Sequence, residues 1–300
     1  MVGELQLMQA SDGRQLEVLT AGPPGGRVLV MHNGTPSGPV AQRPAVEAAA
    51  ARGLRTVICA RPGYSRSDPL PGRRAADVVP DTAAVLDALG AGEFVTVGWS
   101  GGGPHALACA AGLPGRCLAA ASMAGVAPSR APGLDWLAGM GAENVAEFGA
   151  ALAGPAELDR YLAAETAGLA DIQADGVAAD LAGLASAADK AVITGEFAEY
   201  LAASFRAALS NGLAGWRDDD LAFASDWGFT VAEVGAGAPV AIWQGDQDLM
   251  VPFAHGEWLA AHVPGARSHL LPGEGHLTLA VNAFGQVLDD LLDLAGWPTA

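Results

Sequence analysis

Short apolar runs, separated by turn-forming and helical segments, set the rhythm of this chain. Leu5 to Met8 and Arg14 to Thr20 read as two strands joined at Asp12-Gly13, a hairpin signal. Val28 to Met31 is wholly apolar and predicts a third strand, with Arg55 to Ala60 a fourth. Asp77 to Leu89 has the pattern of a helix, and Phe94 to Val97 is a further strand ahead of the helix-prone stretch Gly103 to Ala111. Cys117 to Met123, Pro239 to Trp243 and Arg267 to Leu271 read as buried strands, and Ala280 to Leu294 as a closing amphipathic helix. Uniformly apolar strands alternating with helices imply a mostly parallel sheet covered by helices on both faces, an α/β architecture.

The stretch 128–237 breaks this alternation. It is alanine-rich and helical in pattern, with no convincing strand. A helical insertion followed by return to the sheet predicts a cap, so the expected division is a core of 1–127 and 238–300 with a helical cap (lid) over 128–237. The alternative is a set of extra helices packed on one side of the sheet.

Composition narrows the picture further. Three hundred residues, 51% of them hydrophobic, suit one large α/β domain with an inserted lid. No window approaches the ~18 uninterrupted apolar residues of a membrane helix. Met1 to Gln6 lacks the basic start and apolar run of a secretory signal. Cys59, Cys109 and Cys117 are odd in number and lie in apolar segments, which predicts buried free thiols in a reducing cytoplasm. The formal charge of −17, from 16 basic and 33 acidic residues, disfavours nucleic acid and anionic membrane surfaces as partners. The run Asp218-Asp219-Asp220 reads as solvated surface or helix-capping groups.

The candidate chemistry centres on Gly98-Trp99-Ser100-Gly101-Gly102, between the Phe94–Val97 strand and the helix that follows. A serine at a sharp strand-to-helix turn is held in a strained backbone conformation that pushes its hydroxyl out of the sheet. Flanking glycines allow strand and helix to approach closely, and the helix N-terminus aims N–H groups at the same point. A serine hydroxyl needs a base to take its proton, and the base needs an orienting acid. For this type of turn those partners follow in the order acid, then histidine. Asp248 stands in the loop Gly245 to Pro252 after a predicted strand, where open α/β sheets place their sites. Asp246 competes with it, but its position suits capping of the loop. His276, in Gly273-Glu274-Gly275-His276 after the last strand, is the expected base. The oxyanion of an acyl-transfer intermediate would be held by the N–H of Gly101 and by the loop His32-Asn33-Gly34-Thr35-Pro36, through the N–H of Thr35. His255 and His262 fall on a predicted helix and His269 in a strand, while His105 either borders the pocket or packs in its helix. No histidine, cysteine or carboxylate cluster has metal-ligand spacing, so neither a metal nor another cofactor is expected.

Together these pieces resemble the α/β-hydrolase superfamily, of the lidded type that includes proline iminopeptidase-like peptidases and small-molecule esterases. The resemblance rests on the Asn33-Gly34-Thr35-Pro36 loop, Arg61-Pro62-Gly63-Tyr64-Ser65-Arg66-Ser67, the serine turn, Gly245 to Pro252 and Gly275-His276. The family often has His-Gly where this chain has Asn33-Gly34, Asp where Ala60 stands, and Gly where Ser65 stands. Epoxide hydrolases and haloalkane dehalogenases of similar fold use Asp at the elbow, where this chain has Ser100.

What the resemblance implies is a serine hydrolase acting on a small-molecule ester or amide through an acyl-enzyme, with kcat/KM rising through an apparent pKa of roughly 6–7 as the histidine loses its proton. Trp99, Trp136, Trp216 and Trp227 are candidates for an apolar substrate site. An aminopeptidase would want a lid carboxylate for the substrate amine, for which Glu143, Glu147, Glu157 and Glu165 are available. Acyltransferases, carbon–carbon bond hydrolases and slow-turnover ligand receptors share the same fold and triad.

Overall fold

The computed structural model of the chain describes residues 3–166 and 168–298. Its strands are β1 (Glu4–Gln9), β2 (Gln15–Ala21), β3 (Arg27–His32), β4 (Leu54–Cys59), β5 (Phe94–Trp99), β6 (Cys117–Met123), β7 (Val240–Gly245) and β8 (Arg267–Leu271). They form one sheet in the order β1-β2-β4-β3-β5-β6-β7-β8. β1 and β2 pair antiparallel about the hairpin, where Gly13 takes φ +92°, and β2 pairs antiparallel with β4. Every pairing from β4 onward is parallel. The mostly parallel α/β architecture expected from the apolar runs is the one observed.

The helices are α1 (Arg43–Ala50), α2 (Val78–Ala88), α3 (Gly103–Gly112), α4 (Ala142–Ala153), α5 (Pro155–Glu165), α6 (Ala174–Asp180), α7 (Ala187–Val192), α8 (Gly195–Leu209), α9 (Ala214–Ala224), α10 (Val231–Gly237), α11 (Phe253–His262), α12 (His276–Thr278) and α13 (Phe284–Leu294). The central strands show why a uniformly apolar run still has a two-residue period. Val28, Val30, Ala120, Val240 and Ile242 face the cluster beneath α2, α3 and α11, whereas Leu29, Val95, Val97, Ala121, Ala241 and Trp243 face α1 and α13. Both faces are covered, so both sets are apolar.

Between β6 and β7 the chain builds helices α4 to α10 and, among the described residues, no strand. Leu158, Leu162, Val177, Leu201 and Ala208 form the interior of a second apolar cluster there, which reaches Trp99 and Leu277 beside the sheet. The two ends of this stretch belong instead to the main core: Trp136 and Trp227 pack into it, and α10 lies against α3 and α11. The closing helix begins earlier than the pattern predicts. It starts at His276 as α12, passes through a π-helical turn at Leu279–Ala283, and continues as α13.

Cys109 and Cys117 are buried and Cys59 half-buried, and all three are free. Burial pushes the thiols of Cys59 and Cys109 up to about 12. No helix among the described residues is long and apolar enough to cross a membrane.

Candidate active site

β5 delivers the chain to Ser100, whose φ is +58°. A short 3-10 turn, Ser100–Gly102, then leads into α3. For a residue with a side chain this left-handed conformation costs on the order of 1–3 kcal/mol, so the surroundings must enforce it. They do so by crowding: a Cβ on Gly98 would overlap the Gly102 carbonyl, and one on Gly102 would overlap that of His32. Only glycines permit strand, turn and neighbouring strand to meet so closely. Ser100 itself stays half-buried and open to a cavity.

The acid comes from the loop after β7. Asp248 is buried, with Oδ1 accepting the N–H groups of Met250 (2.9 Å) and Val251 (2.8 Å) and Oδ2 accepting Gln244 Nε2 (3.0 Å). The same Oδ2 lies 2.8 Å from His276 Nδ1. Asp246 is exposed and holds the loop instead, accepting Gly273 N–H at 2.8 Å. The geometry therefore brings Asp248, not Asp246, to the imidazole.

His276 is buried, its ring 5.5 Å from that of Trp99, whose Nε1 donates to the His276 carbonyl (3.2 Å). Burial disfavours the imidazolium, but the Asp248 carboxylate outweighs it and Asp189 adds to the same effect. The net result is a pKa above the ordinary histidine value. Asp189 reaches this place from α7, accepting the N–H groups of His276 (3.1 Å), Leu277 (2.7 Å) and Thr278 (3.0 Å). Reading the chain alone misses it, because Ser186-x-x-Asp189 has the spacing of an ordinary capping box for α7, which it also forms.

The loop after β3 is held by a buried ionic cluster. Arg61 donates to the carbonyls of Asn33 (2.6 Å) and Gly34 (2.8 Å) and to Thr35 Oγ1 (3.0 Å). Asp219 of α9 accepts from Arg61, Arg73, the Tyr64 hydroxyl (2.9 Å) and the Thr35 hydroxyl (2.8 Å). Burial opposes its charge, yet the two guanidiniums hold its pKa well below the carboxylate range. Ser65 occupies φ +49°, which explains why glycine suits that position, and its hydroxyl donates to the Ala207 carbonyl (2.8 Å). His105 is buried in α3 against the same cluster, 4.0 Å from Asp219, and takes the packed role rather than the pocket one.

A cavity of about 180 Å³ opens over Ser100. Gly34, Thr35, Trp99, Gly101 and His276 line it on the sheet side, and Trp216, Tyr161, Tyr200 and Phe205 on the helical side. Of the four tryptophans, Trp99 and Trp216 thus border it. Trp136 and Trp227 do not, because they sit on the legs of the insertion and pack into the main core; the Trp136 Nε1 donates to the Ala127 carbonyl (2.7 Å). Five carboxylate residues also line the cavity, Glu143, Glu147, Glu165, Asp180 and Asp220, and among the described residues no lysine or arginine does. Glu157 is half-buried on α5 and pairs with Arg160.

The acidic run of α9 is the clearest departure from expectation. Asp218, Asp219 and Asp220 are buried rather than solvated. Asp218 pairs with Arg217 at 2.8 Å, and Asp219 with Arg61 and Arg73. Among the described residues Asp220 has no donor from another side chain or the backbone, and it faces Glu147, to which its acid form can donate and which accepts the Trp216 Nε1 at 2.7 Å. Burial first, and then the neighbouring Glu147, pushes the Asp220 carboxyl well above its usual range; burial also raises Glu147.

A family model described as the alpha/beta hydrolase fold matches residues 27–283. No curated protein matches the chain in sequence. Among solved structures, a hydrolase from Pseudomonas aeruginosa is 21% identical with a TM-score of 0.71, over 97% of this chain and 99% of that one. An epoxide hydrolase from Vigna radiata is 17% identical with a TM-score of 0.70, over 97% and 98%. An esterase from Rhodococcus sp. is 19% identical with a TM-score of 0.63, over 97% and 99%.

Proposed function

Starting from the fact that the chain belongs to the α/β-hydrolase family, we propose that it is a serine hydrolase that cleaves a small-molecule ester or amide through an acyl-enzyme. One observation supports this reading above the rest: Ser100 at its strained turn and His276, whose Nδ1 lies 2.8 Å from the buried Asp248, border the same cavity. His276 accepts the Ser100 proton as Oγ attacks the carbonyl carbon. Asp248 holds the imidazole tautomer with the proton on Nδ1 and stabilises the charge it acquires. The tetrahedral oxyanion is received by the N–H of Gly101, at the start of the α3 turn, and by that of Thr35. The Thr35 assignment has support from Arg61. Its bond to the Gly34 carbonyl fixes that peptide, so the Thr35 N–H points away from the guanidinium. The leaving group takes the proton from His276, and water then repeats the sequence to release the acid. In this reading the helices over the cavity, within 128–237, act as the cap.

Fold likeness to an epoxide hydrolase carries no activity here, because the elbow residue is Ser100 and a serine ester, not an aspartyl ester, is the intermediate open to it. A fluorophosphonate probe tests the assignment: it should label the parent at Ser100 and leave Ser100→Ala untouched. Labelling elsewhere, or a Ser100→Ala protein that still hydrolyses p-nitrophenyl esters at the parent rate, would refute it.

A second reading concerns the substrate. The roof of the cavity carries Glu147 and the unpartnered Asp220 among five carboxylate residues, with no basic side chain beside them. That environment favours a substrate bearing a cationic amine, as an aminopeptidase substrate does, since the ammonium would supply the missing donors and the opposing charge. A panel pairing aminoacyl esters and anilides with uncharged analogues decides it: equal kcat/KM with and without the amine would end this reading while leaving the serine mechanism intact.

A further inference from the structure

Among the described residues, Asp189 is the one cap side chain that grips the backbone of the proposed base. It is fully buried, at 0% exposure, and among the described residues all its hydrogen-bond donors are neutral: the N–H groups of residues 276, 277 and 278, the Ser186 hydroxyl at 2.9 Å and the Ser186 N–H at 3.4 Å. A carboxylate in such a place is tolerated only if its lone pairs are filled and an opposing potential is near. Both come from the first turn of the helix that carries His276, whose free N–H groups converge on it. The fit is close, since a Cβ on Gly275 would collide with both Asp189 oxygens. Capping of α7 alone does not account for the residue. Within the box it accepts the Ser186 hydroxyl (2.9 Å) and, at 3.4 Å, the Ser186 N–H, but three further N–H groups reach it from α12, 87 to 89 positions away, the shortest at 2.7 Å.

We propose that Asp189 is a positioning residue for the proposed hydrolysis: by holding the N–H groups of residues 276–278 it sets where the His276 imidazole lies relative to Ser100 and Asp248. The base is then aligned only while α7 of the cap is seated on the core. The proposal rests on the serine-hydrolase reading, in which His276 is the base. Trp99, from the end of β5, fixes the far side of the same residue through the His276 carbonyl. The backbone is thus clamped from both ends, by the cap at its N–H and by the sheet at its C=O. The charges facing the imidazole are those of Asp248, from the loop after β7, and Asp189, from α7, and both favour the protonated ring.

The test uses Asp189→Asn, which keeps the shape and removes the charge and one acceptor, and Ser186→Ala, which removes a single hydrogen bond to the same carboxylate. Rates are normalised to the number of sites a fluorophosphonate titrates. Asp189→Asn should lower kcat per labelled serine by about 10- to 100-fold, the range typical of supporting residues, with KM within about two-fold. The midpoint of the His276 ring titration, followed by NMR, should move to lower pH. Ser186→Ala should lose about two- to five-fold in kcat, in proportion to one hydrogen bond. A lowered melting temperature with kcat per labelled serine and the His276 midpoint both unchanged would overturn the proposal, leaving Asp189 as scaffold only. If Asp189→Asn does not fold, Ser186→Ala decides: no loss of kcat per labelled serine overturns the proposal, and the graded loss supports it. A parent that does not label at Ser100 would refute the hydrolase reading instead, and the NMR midpoint would still report on Asp189.

Discussion

Asp219 and Asp220 are neighbours on α9, both fully buried, and they live in opposite electrostatic worlds. Asp219 faces the sheet side, where Arg61 and Arg73 pair with it and the hydroxyls of Tyr64 and Thr35 fill its remaining lone pairs. Asp220, about 100° further round the helix, faces the cavity and meets Glu147, and among the described residues no lysine or arginine lines that cavity. The first is held ionised and braces the loop that carries Thr35. The second is pushed toward its neutral form by burial and by Glu147 beside it. The same side chain thus braces a loop on one face of the helix and, in the reading proposed above, would receive a substrate amine on the other. That contrast extends to the whole cavity, whose sheet side carries Ser100 and His276 and whose helical side carries five carboxylate residues.

The largest expected effect separates chemistry from recognition. Ser100→Ala should lower kcat on a p-nitrophenyl ester by about 10⁴-fold or more without changing the melting temperature. If the sheet side alone does chemistry, a cationic amine should still bind the inactive variant, as calorimetry can show.

The next largest sets the two aspartates against each other. Asp219→Ala leaves two buried guanidiniums without a counter-charge and should cost about 3–5 kcal/mol of stability. Asp220→Asn should leave stability unchanged or raise it, because a raised carboxyl prefers to be neutral in the folded state. The sign of its pH dependence follows. Below the unfolded carboxyl value both states hold the proton and nothing is lost; as pH climbs toward the higher folded value the parent loses stability that the amide keeps. Melting temperatures at pH 4 and pH 7 should therefore diverge, with Asp220→Asn gaining on the parent at the higher pH. Equal sensitivity of the two positions to substitution would dissolve the comparison.

A smaller effect sharpens the recognition side. Glu147→Gln combined with Asp220→Asn should raise KM for aminoacyl substrates about ten-fold, roughly 1.4 kcal/mol, and leave uncharged esters within about two-fold. The smallest concerns the base itself. His276 must be neutral to accept the serine proton, and its pKa lies above the ordinary histidine value, so kcat/KM should be low in acid and reach half its plateau above pH ~6.5. A profile flat from about pH 5 to 9 would contradict a histidine base.

Much of this was legible in one dimension, and for a definable reason. Strand formation, the strand–turn–helix at Ser100 and the loops bearing Asp248 and His276 are local events, written in apolar runs, glycines and chain order. All eight strands fall within a residue or two of the apolar runs that predict them. Asp248 is preferred to Asp246 on its place in the loop, and it is Asp248 that lies 2.8 Å from His276. The short α1 carries too weak a pattern to be read: Ala45, Val46 and Ala49 supply its buried face.

What the tertiary structure alone decided is where distant segments meet. Trp216 borders the cavity while Trp136 and Trp227 sink into the core, although all three lie in one alanine-rich stretch. Asp218 to Asp220 look like solvated charge until Arg61 and Arg73, about 150 positions away, come to meet the middle one. Asp189 looks like a local cap until residues 276–278 arrive beneath it. Periodicity reports only the side of an element that is apolar. A buried carboxylate is defined by its partner, and partner identity is a property of three-dimensional proximity, which no spacing along the chain encodes.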